Sequence, residues 1–291
     1  MFAWKNCCAL KYIGVVSIRT LTPMRTSGRK TAQLWLRERN MKRSVSISCF
    51  VDGLKHYADD LALVAIDVIR ATTTAATAIA AGRRCYPVSS VAAARALSVQ
   101  VSDALLVGEV AGEMPDGFDL TNSPAQLAAR ADGRRPVILL SSSGTQLMET
   151  IRERKDAYSA SFRNYNATID HLAEHPSDVV LIGAGTRGEF REEDQMCCAW
   201  IAEGLIEYGF SAKDETTRSL VERWRGLPRD AFMMSRSVDY LRRTDQLADL
   251  EFILDHFDDL DFVCQLNHSE CQRMQARIQR PVVLEPIAIT A

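Results

Sequence analysis

Residues 61–74 read LALVAIDVIRATTT, and the fold class follows from this stretch. Its first six residues are all apolar and of strand length, which is typical of a strand buried on both faces of a parallel sheet. Asp67 ends the run, and the alanine- and threonine-rich residues 72–81 should form a closely packed helix that stops at Gly82. The stretch therefore predicts a strand–loop–helix unit of an α/β protein.

Two more units of this kind follow along the chain. The apolar runs 137–140 and 179–182 precede loops of small and hydroxylated residues, SSSGT at 141–145 and GAGT at 183–186. At the carboxyl ends of parallel strands, such loops present backbone N–H groups and helix N-termini to an anion. Further strands are predicted at 45–50, 85–88, 104–107 and 261–266, and helices at 91–97 and through most of 216–256. We expect one three-layer α/β/α domain with a mostly parallel or mixed sheet.

Composition limits the classes of partner. The 291 residues are 47% apolar and carry a formal net charge of -2, so a large core is expected but no strong field for nucleic acid or a membrane surface. No apolar stretch approaches the ~20 residues that a membrane-spanning helix needs. The eight cysteines form no C-x-x-C motif, which is typical of a reducing compartment. We expect a cytoplasmic protein that binds a small molecule, with a homodimer as the default assembly.

The first 40 residues differ from the remainder of the chain. They contain eight lysines and arginines but a single acid, Glu38. We predict that residues 1–40 are a disordered extension, or translated sequence upstream of a start at Met41, and that residues 41–291 form the folded domain.

Two acids are the main candidates for chemistry. Asp67 interrupts an apolar run, where an uncompensated carboxylate costs several kcal/mol. Either an ion pair with Arg70 or a hard cation would offset that cost. Glu109 directly follows the strand predicted at 104–107, so its carboxylate should lie at the same edge of the sheet as Asp67.

A dinucleotide-binding motif is also present but is discounted. Residues 183–188 read GAGTRG, which matches G-x-G-x-x-G after a strand. Four acids, Glu189, Glu192, Glu193 and Asp194, crowd the start of the following helix and would repel a pyrophosphate. A nicotinamide-dependent enzyme is therefore disfavoured.

Several motifs, taken in order, resemble the 2-phosphosulfolactate phosphatase family. They are IDVIRATTT at 66–74, GE at 108–109, GFDL at 117–120, NSP at 122–124, GT at 144–145, AGTRGEFREED at 184–194 and SRS at 235–237. The resemblance implies an α/β/α fold of its own type. It also implies a magnesium-dependent phosphomonoesterase that hydrolyses 2-phospho-3-sulfolactate to 3-sulfolactate and phosphate, a reaction of coenzyme M biosynthesis.

The resemblance and the loop chemistry together give a set of site residues. Asp67, Arg70 and Glu109 are predicted to be catalytic, with Asp67 either a metal ligand or a nucleophile. Mg²⁺ is expected to bind Asp67, Glu109, Glu193 and Asp194. Substrate or phosphate is expected to contact Thr72, Thr73, Thr74, Asn122, Ser123, Ser142, Ser143, Gly144, Thr145, Gly185 and Thr186.

Three departures from the family pattern lie within these motifs. Val110 replaces the arginine of Gly-Glu-Arg, Thr121 replaces the glycine before Asn-Ser-Pro, and Ser143 replaces an asparagine before Gly-Thr. The loss of a cation at position 110 favours an alternative hypothesis, in which the chain binds a phosphorylated or sulfonated metabolite without catalysis.

Overall fold

The computed structural model describes residues 43–49, 58, 60–186 and 188–275. The predictions for residues 1–40 lie outside these residues. Within the described part of the chain, no helix combines the length and the apolar character needed to cross a membrane.

The described elements follow the predicted alternation of strands and helices. The strands are β1 (Ser44–Cys49), β2 (Ala62–Ile66), β3 (Cys85–Val88), β4 (Leu105–Gly108), β5 (Val137–Leu140), β6 (Ala157–Ala160), β7 (Val179–Gly183), β8 (Ser211–Ala212), β9 (Phe262–Asn267) and β10 (Glu270–Gln275). The helices are α1 (Ala71–Ala80), α2 (Val91–Gln100), α3 (Pro124–Ala128), α4 (Gly144–Ile151), α5 (Tyr165–Ala173), α6 (Glu192–Glu207), α7 (Glu215–Trp224), α8 (Arg236–Arg243) and α9 (Leu247–Asp255).

The strands form one mixed sheet in the order β4-β5-β3-β10-β9-β6-β2-β7-β1-β8. Strands β4, β5 and β3 form one parallel segment, and β6, β2, β7, β1 and β8 form another. The hairpin of β9 and β10 joins the two segments through antiparallel pairs on both sides. These three antiparallel steps reverse the strand direction, so the predicted loops do not share one edge of a single parallel sheet.

Helices α1 and α4 pack against strands of both parallel segments. Their core includes Leu63 and Ala65 of β2 together with Val137 and Leu139 of β5. The alternate residues of β2, Val64 and Ile66, face a second core with helices α5 and α6, so β2 is covered on both faces. The α/β/α layering is as predicted. The small side chains of α1, buried along most of its length, allow the helix to lie between the two segments.

Candidate active site

The loops that follow β2, β4, β5 and β7 meet at one cavity of about 1180 Å³, although the strands belong to both parallel segments. Asp67, Arg70, Glu109, Asn122, Ser142, Ser143 and Thr186 of the predicted site line it. Helix α8 forms a further wall. Asp67 and Glu109 thus reach the same cavity. The prediction that they share one edge of the sheet was wrong, because three antiparallel steps make β2 and β4 run in opposite directions.

Asp67 is buried in an unfavourable electrostatic environment. Its side chain lies at the end of β2 and the residue is 8% exposed. Burial raises its pKa to about 7, and the negative charges of Glu109 and Glu193 contribute in the same direction. The backbone N–H of Ala71 and the charge of Arg70 oppose this shift. Two carboxylates in one desolvated region are stable together only when a proton or a cation compensates them.

Glu109 is held rigidly by its neighbours. Its Oε1 accepts the backbone N–H of Ser142 at 2.7 Å, and its Oε2 accepts the Ser142 hydroxyl at 2.8 Å and the Gly112 N–H at 2.6 Å. The Ser142 hydroxyl also accepts the N–H of Ala111 at 2.7 Å. Ser142 was predicted to contact phosphate. Its N–H and its hydroxyl instead donate to Glu109 and orient that carboxylate.

Arg70 does not form the ion pair that the sequence suggested. Its Nη1 donates to Asp249 Oδ2 of α9 at 2.6 Å and also to Gln246, while the residue lines the cavity at 5% exposure. Asp249 Oδ1 in turn accepts the hydroxyl of Ser123 at 2.5 Å. Asp249 therefore offsets the charge of Arg70, and Asp67 forms no ion pair with any residue that the structure describes.

The three consecutive threonines play a structural role instead of the predicted substrate contact. The hydroxyls of Thr72, Thr73 and Thr74 donate to the carbonyls of Asp67, Val68 and Arg70 at 2.8, 2.7 and 3.1 Å. All three residues are buried and do not line the cavity. Their hydroxyls bond to the backbone of the loop that carries Asp67 and Arg70.

Four other predicted contacts also prove to shape the site without lining it. Thr145 is fully buried and exchanges hydrogen bonds with Ser141. Ser123 caps α3 through the N–H of Gln126. Gly185 adopts φ +60° in the loop after β7, which favours glycine. Gly144 is required for close approach, because a Cβ there would lie 2.2 Å from Asp67 Oδ2 and 2.6 Å from the Cβ of Ala71.

Glu193 and Asp194 lie behind the cavity at the start of α6. Asp194 Oδ1 accepts the N–H of Val68 at 2.8 Å. Glu193 Oε2 is buried and has no hydrogen-bond partner among the described residues. Burial raises the pKa of both groups. Within residues 43–49, 58, 60–186 and 188–275, no three histidine, cysteine or acidic side chains are arranged to hold a metal ion together. Among these residues the four predicted carboxylate ligands therefore do not form one metal-binding cluster: Asp67 and Glu109 line the cavity, whereas Glu193 and Asp194 do not.

The contribution of the C-terminal helices to the cavity was not predicted from the sequence, although Arg236 lies in the SRS motif at 235–237. Tyr240, Arg236 and Arg243 of α8 and Arg191 before α6 line the cavity, and Asp249 of α9 holds Arg70. The spacing of the arginines in α8 is typical of a solvated helix face, so it did not predict that they line the cavity. Val110, where the family pattern has arginine, lines the same cavity and is half exposed.

Comparison with known proteins agrees with the motifs. The family model described as 2-phosphosulpholactate phosphatase matches residues 51–269. A probable 2-phosphosulfolactate phosphatase of Carboxydothermus hydrogenoformans is 38% identical over 164 residues, which cover 56% of this chain and 68% of that protein. Proteins with the same description from Synechocystis sp. and Synechococcus sp. are 32% and 31% identical, over 65% and 70% of this chain and 82% and 83% of their own lengths. The chain therefore belongs to the 2-phosphosulfolactate phosphatase family, a family of phosphoric monoester hydrolases.

Proposed function

We propose that this protein is a magnesium-dependent phosphomonoesterase that hydrolyses 2-phospho-3-sulfolactate, or a closely related small phosphorylated acid, to the hydroxy acid and phosphate. The observation that carries the proposal is that two buried carboxylates, Asp67 and Glu109, line one cavity. Burial, together with the charge of Glu109, raises the pKa of Asp67 to about 7. Buried charge of this kind in a cleft is typical of an active site. The family membership supplies the reaction class.

Asp67 and Glu109 are the residues we assign to Mg²⁺. Mg²⁺ commonly takes one or two carboxylates from a protein and completes its coordination with water and substrate phosphate. The carboxylates of Asp67 and Glu109, which line one cavity and repel each other, fit that requirement, whereas Glu193 and Asp194 do not line the cavity. When bound, the metal would neutralise charge that develops on the phosphoryl group during transfer.

The phosphoryl group is assigned to the wall formed by Arg70, Ser143 and the N-terminus of α4. Arg70 lines the cavity and is held in place by Asp249 and Gln246, so its guanidinium is ordered before substrate arrives. Ser143 and Gln146 place the first turn of α4 at the cavity, where helix N–H groups favour an anion. Arginine is suited to phosphate because it donates in a fixed planar fork.

The experiment that tests this function is a phosphate-release screen of small phosphorylated acids. We expect release from 2-phospho-3-sulfolactate in the presence of Mg²⁺ and none with excess chelator. Tight binding of these compounds without release under either condition would support the alternative of a silent metabolite-binding protein. Release that does not respond to the chelator would remove Mg²⁺ from the proposal.

Location and assembly are further parts of the proposal. Six described cysteines are free, which supports a reducing compartment such as the cytoplasm. A homodimer stays a prediction, and light scattering of the purified protein would test it.

A further inference from the structure

The cavity has a basic wall that the assignment above does not use. Arg191, Arg236 and Arg243, which we call the arginine wall, line the cavity together with Ser237. Arg191 precedes α6, whereas the other residues lie on α8. The wall is therefore built from two separate parts of the chain that meet at one side of the cavity.

Arg191 is the innermost member of this wall. Its side chain is 12% exposed, and its Nη1 donates to Glu189 Oε2 at 2.9 Å. Its Nε is buried and has no hydrogen-bond partner among the described residues. A buried guanidinium N–H without an acceptor is costly, so an acceptor on a ligand would satisfy it. Asn122 places a second unpartnered atom in the same cavity, because its Oδ1 is buried and without a partner in the described chain. An amide oxygen accepts, so a ligand would satisfy it with a donor and not with an acid group.

The arginine wall carries more positive than negative charge. Glu189 is shared by Arg191 and Arg236, so one carboxylate serves two guanidinium groups. Arg243 has no carboxylate partner within the described residues, and its Nε donates to the backbone carbonyl of Asp239 at 3.3 Å. The carboxylates of Asp67 and Glu109 line the same cavity. The cavity therefore presents groups of opposite sign to a single ligand, and its volume of about 1180 Å³ is ample for a molecule that contacts both.

We propose that Arg191, supported by Arg236 and Arg243, binds one of the two acid groups that the substrate carries in addition to its phosphoryl group. That group is a sulfonate or a carboxylate, both of which accept two hydrogen bonds from a guanidinium. Arg191 is then the residue that determines which phosphorylated acids are accepted. The inference rests on the proposed function, since it assigns the second end of the same substrate.

Binding of substrate fragments tests this inference without requiring turnover. We would titrate 3-sulfolactate, isethionate, lactate and inorganic phosphate by calorimetry into the wild type, Arg191→Gln and Arg191→Lys. Isethionate carries only the sulfonate and lactate only the carboxylate, so they identify the group that is bound. Arg225→Gln is the matched control, because Arg225 is exposed, pairs with Glu203 and lies outside the cavity.

We expect Arg191→Gln to weaken 3-sulfolactate binding by about tenfold to a hundredfold, as for the loss of a charge-assisted hydrogen bond. Phosphate binding should change by less than about twofold, and Arg191→Lys should recover part of the loss because it restores the charge. The inference would be overturned if Arg191→Gln lost affinity equally for 3-sulfolactate and phosphate, or lost affinity for neither. It would also be overturned if the wild type did not bind 3-sulfolactate. Failure of the proposed function would show separately, as absence of phosphate release by the wild type. Thermal unfolding of each variant reports whether the fold is intact.

Discussion

Ser142 donates both its backbone N–H and its hydroxyl to the carboxylate of Glu109, at 2.7 and 2.8 Å. This pair of hydrogen bonds ties the loop after β5 to the loop after β4. It fixes the orientation of one of the two carboxylates that face the cavity. The position of this carboxylate in the cavity therefore depends on Ser142.

Ser142→Ala tests this positioning role. The backbone N–H remains, but Glu109 Oε2 loses one donor and the N–H of Ala111 loses its acceptor. We expect kcat to fall about tenfold, in line with the ~1.5 kcal/mol of one hydrogen bond to a charged group. Steady-state kinetics measure the effect. Ser98→Ala, which removes an exposed hydroxyl on α2, should leave kcat unchanged; equal rates for both variants would contradict the role of Ser142.

Gly144→Ala probes the close contact between α4 and the loop after β2. The added Cβ would lie 2.2 Å from Asp67 Oδ2, so either the carboxylate or the helix must move. We expect loss of most activity and a decrease in unfolding free energy of about 1–3 kcal/mol, as for overpacked cores. Chemical denaturation and kcat/KM measure the two effects. Gly226→Ala is the control, since no atom lies within 4 Å of its Cβ position, although its φ of +65° costs some stability. An active Gly144→Ala enzyme would show that the position of Asp67 is not critical.

Much of this site could be predicted from the sequence because the signals were local. An apolar run ending in Asp67, and small residues opening the next helix, depend only on neighbouring positions in the chain. Strand β5 was also predicted correctly, from the apolar run 137–140. Local patterns of this kind follow directly from strand burial and helix capping.

What the sequence did not reveal depends on contacts between distant segments. Asp249 lies 179 positions from Arg70, and only the folded chain shows that it holds the guanidinium. The threonines of α1 were interpreted as phosphate ligands because their hydroxyls follow a strand, but the backbone carbonyls compete for the same hydroxyls. Strand β6 was missed because its four residues, AYSA, are too short and too mixed to give a period.

The raised pKa of Asp67 predicts a pH-dependent stability. In the folded protein this carboxyl has a pKa of about 7, against an ordinary value of 3.8, so the folded state binds more protons between these pH values. Its contribution to stability is therefore present below about pH 4 and is lost as pH rises through 7, with an upper limit of about 4 kcal/mol.

Asp67→Asn should remove this dependence. In chelator, we expect the variant to be more stable than the wild type at pH 8 and similar to it at pH 4. Urea denaturation at both pH values measures the difference in unfolding free energy between the two proteins. We expect the variant to unfold cooperatively. If the unfolding free energy of the wild type and of Asp67→Asn changed with pH by the same amount, the raised pKa of Asp67 in the folded protein would be contradicted.

Asp249→Ala tests the support of Arg70 from α9. The substitution leaves the Arg70 guanidinium buried without its carboxylate, which typically costs about 3–5 kcal/mol. We expect a large decrease in unfolding free energy and a higher KM for any phosphorylated substrate. Glu203→Ala, which breaks the exposed pair with Arg225, should cost less than about 1 kcal/mol. Similar costs for the two variants would show that Arg70 has another partner.

The most direct test of a metal-dependent site at Asp67 and Glu109 is the initial rate of phosphate release from 2-phospho-3-sulfolactate. It is measured for the wild type, Asp67→Asn and Glu109→Gln, each with Mg²⁺ and with excess chelator. We expect release by the wild type with Mg²⁺ alone and a reduction of at least about a thousandfold in both variants. Undiminished release by Asp67→Asn, or by the wild type in chelator, would contradict the account.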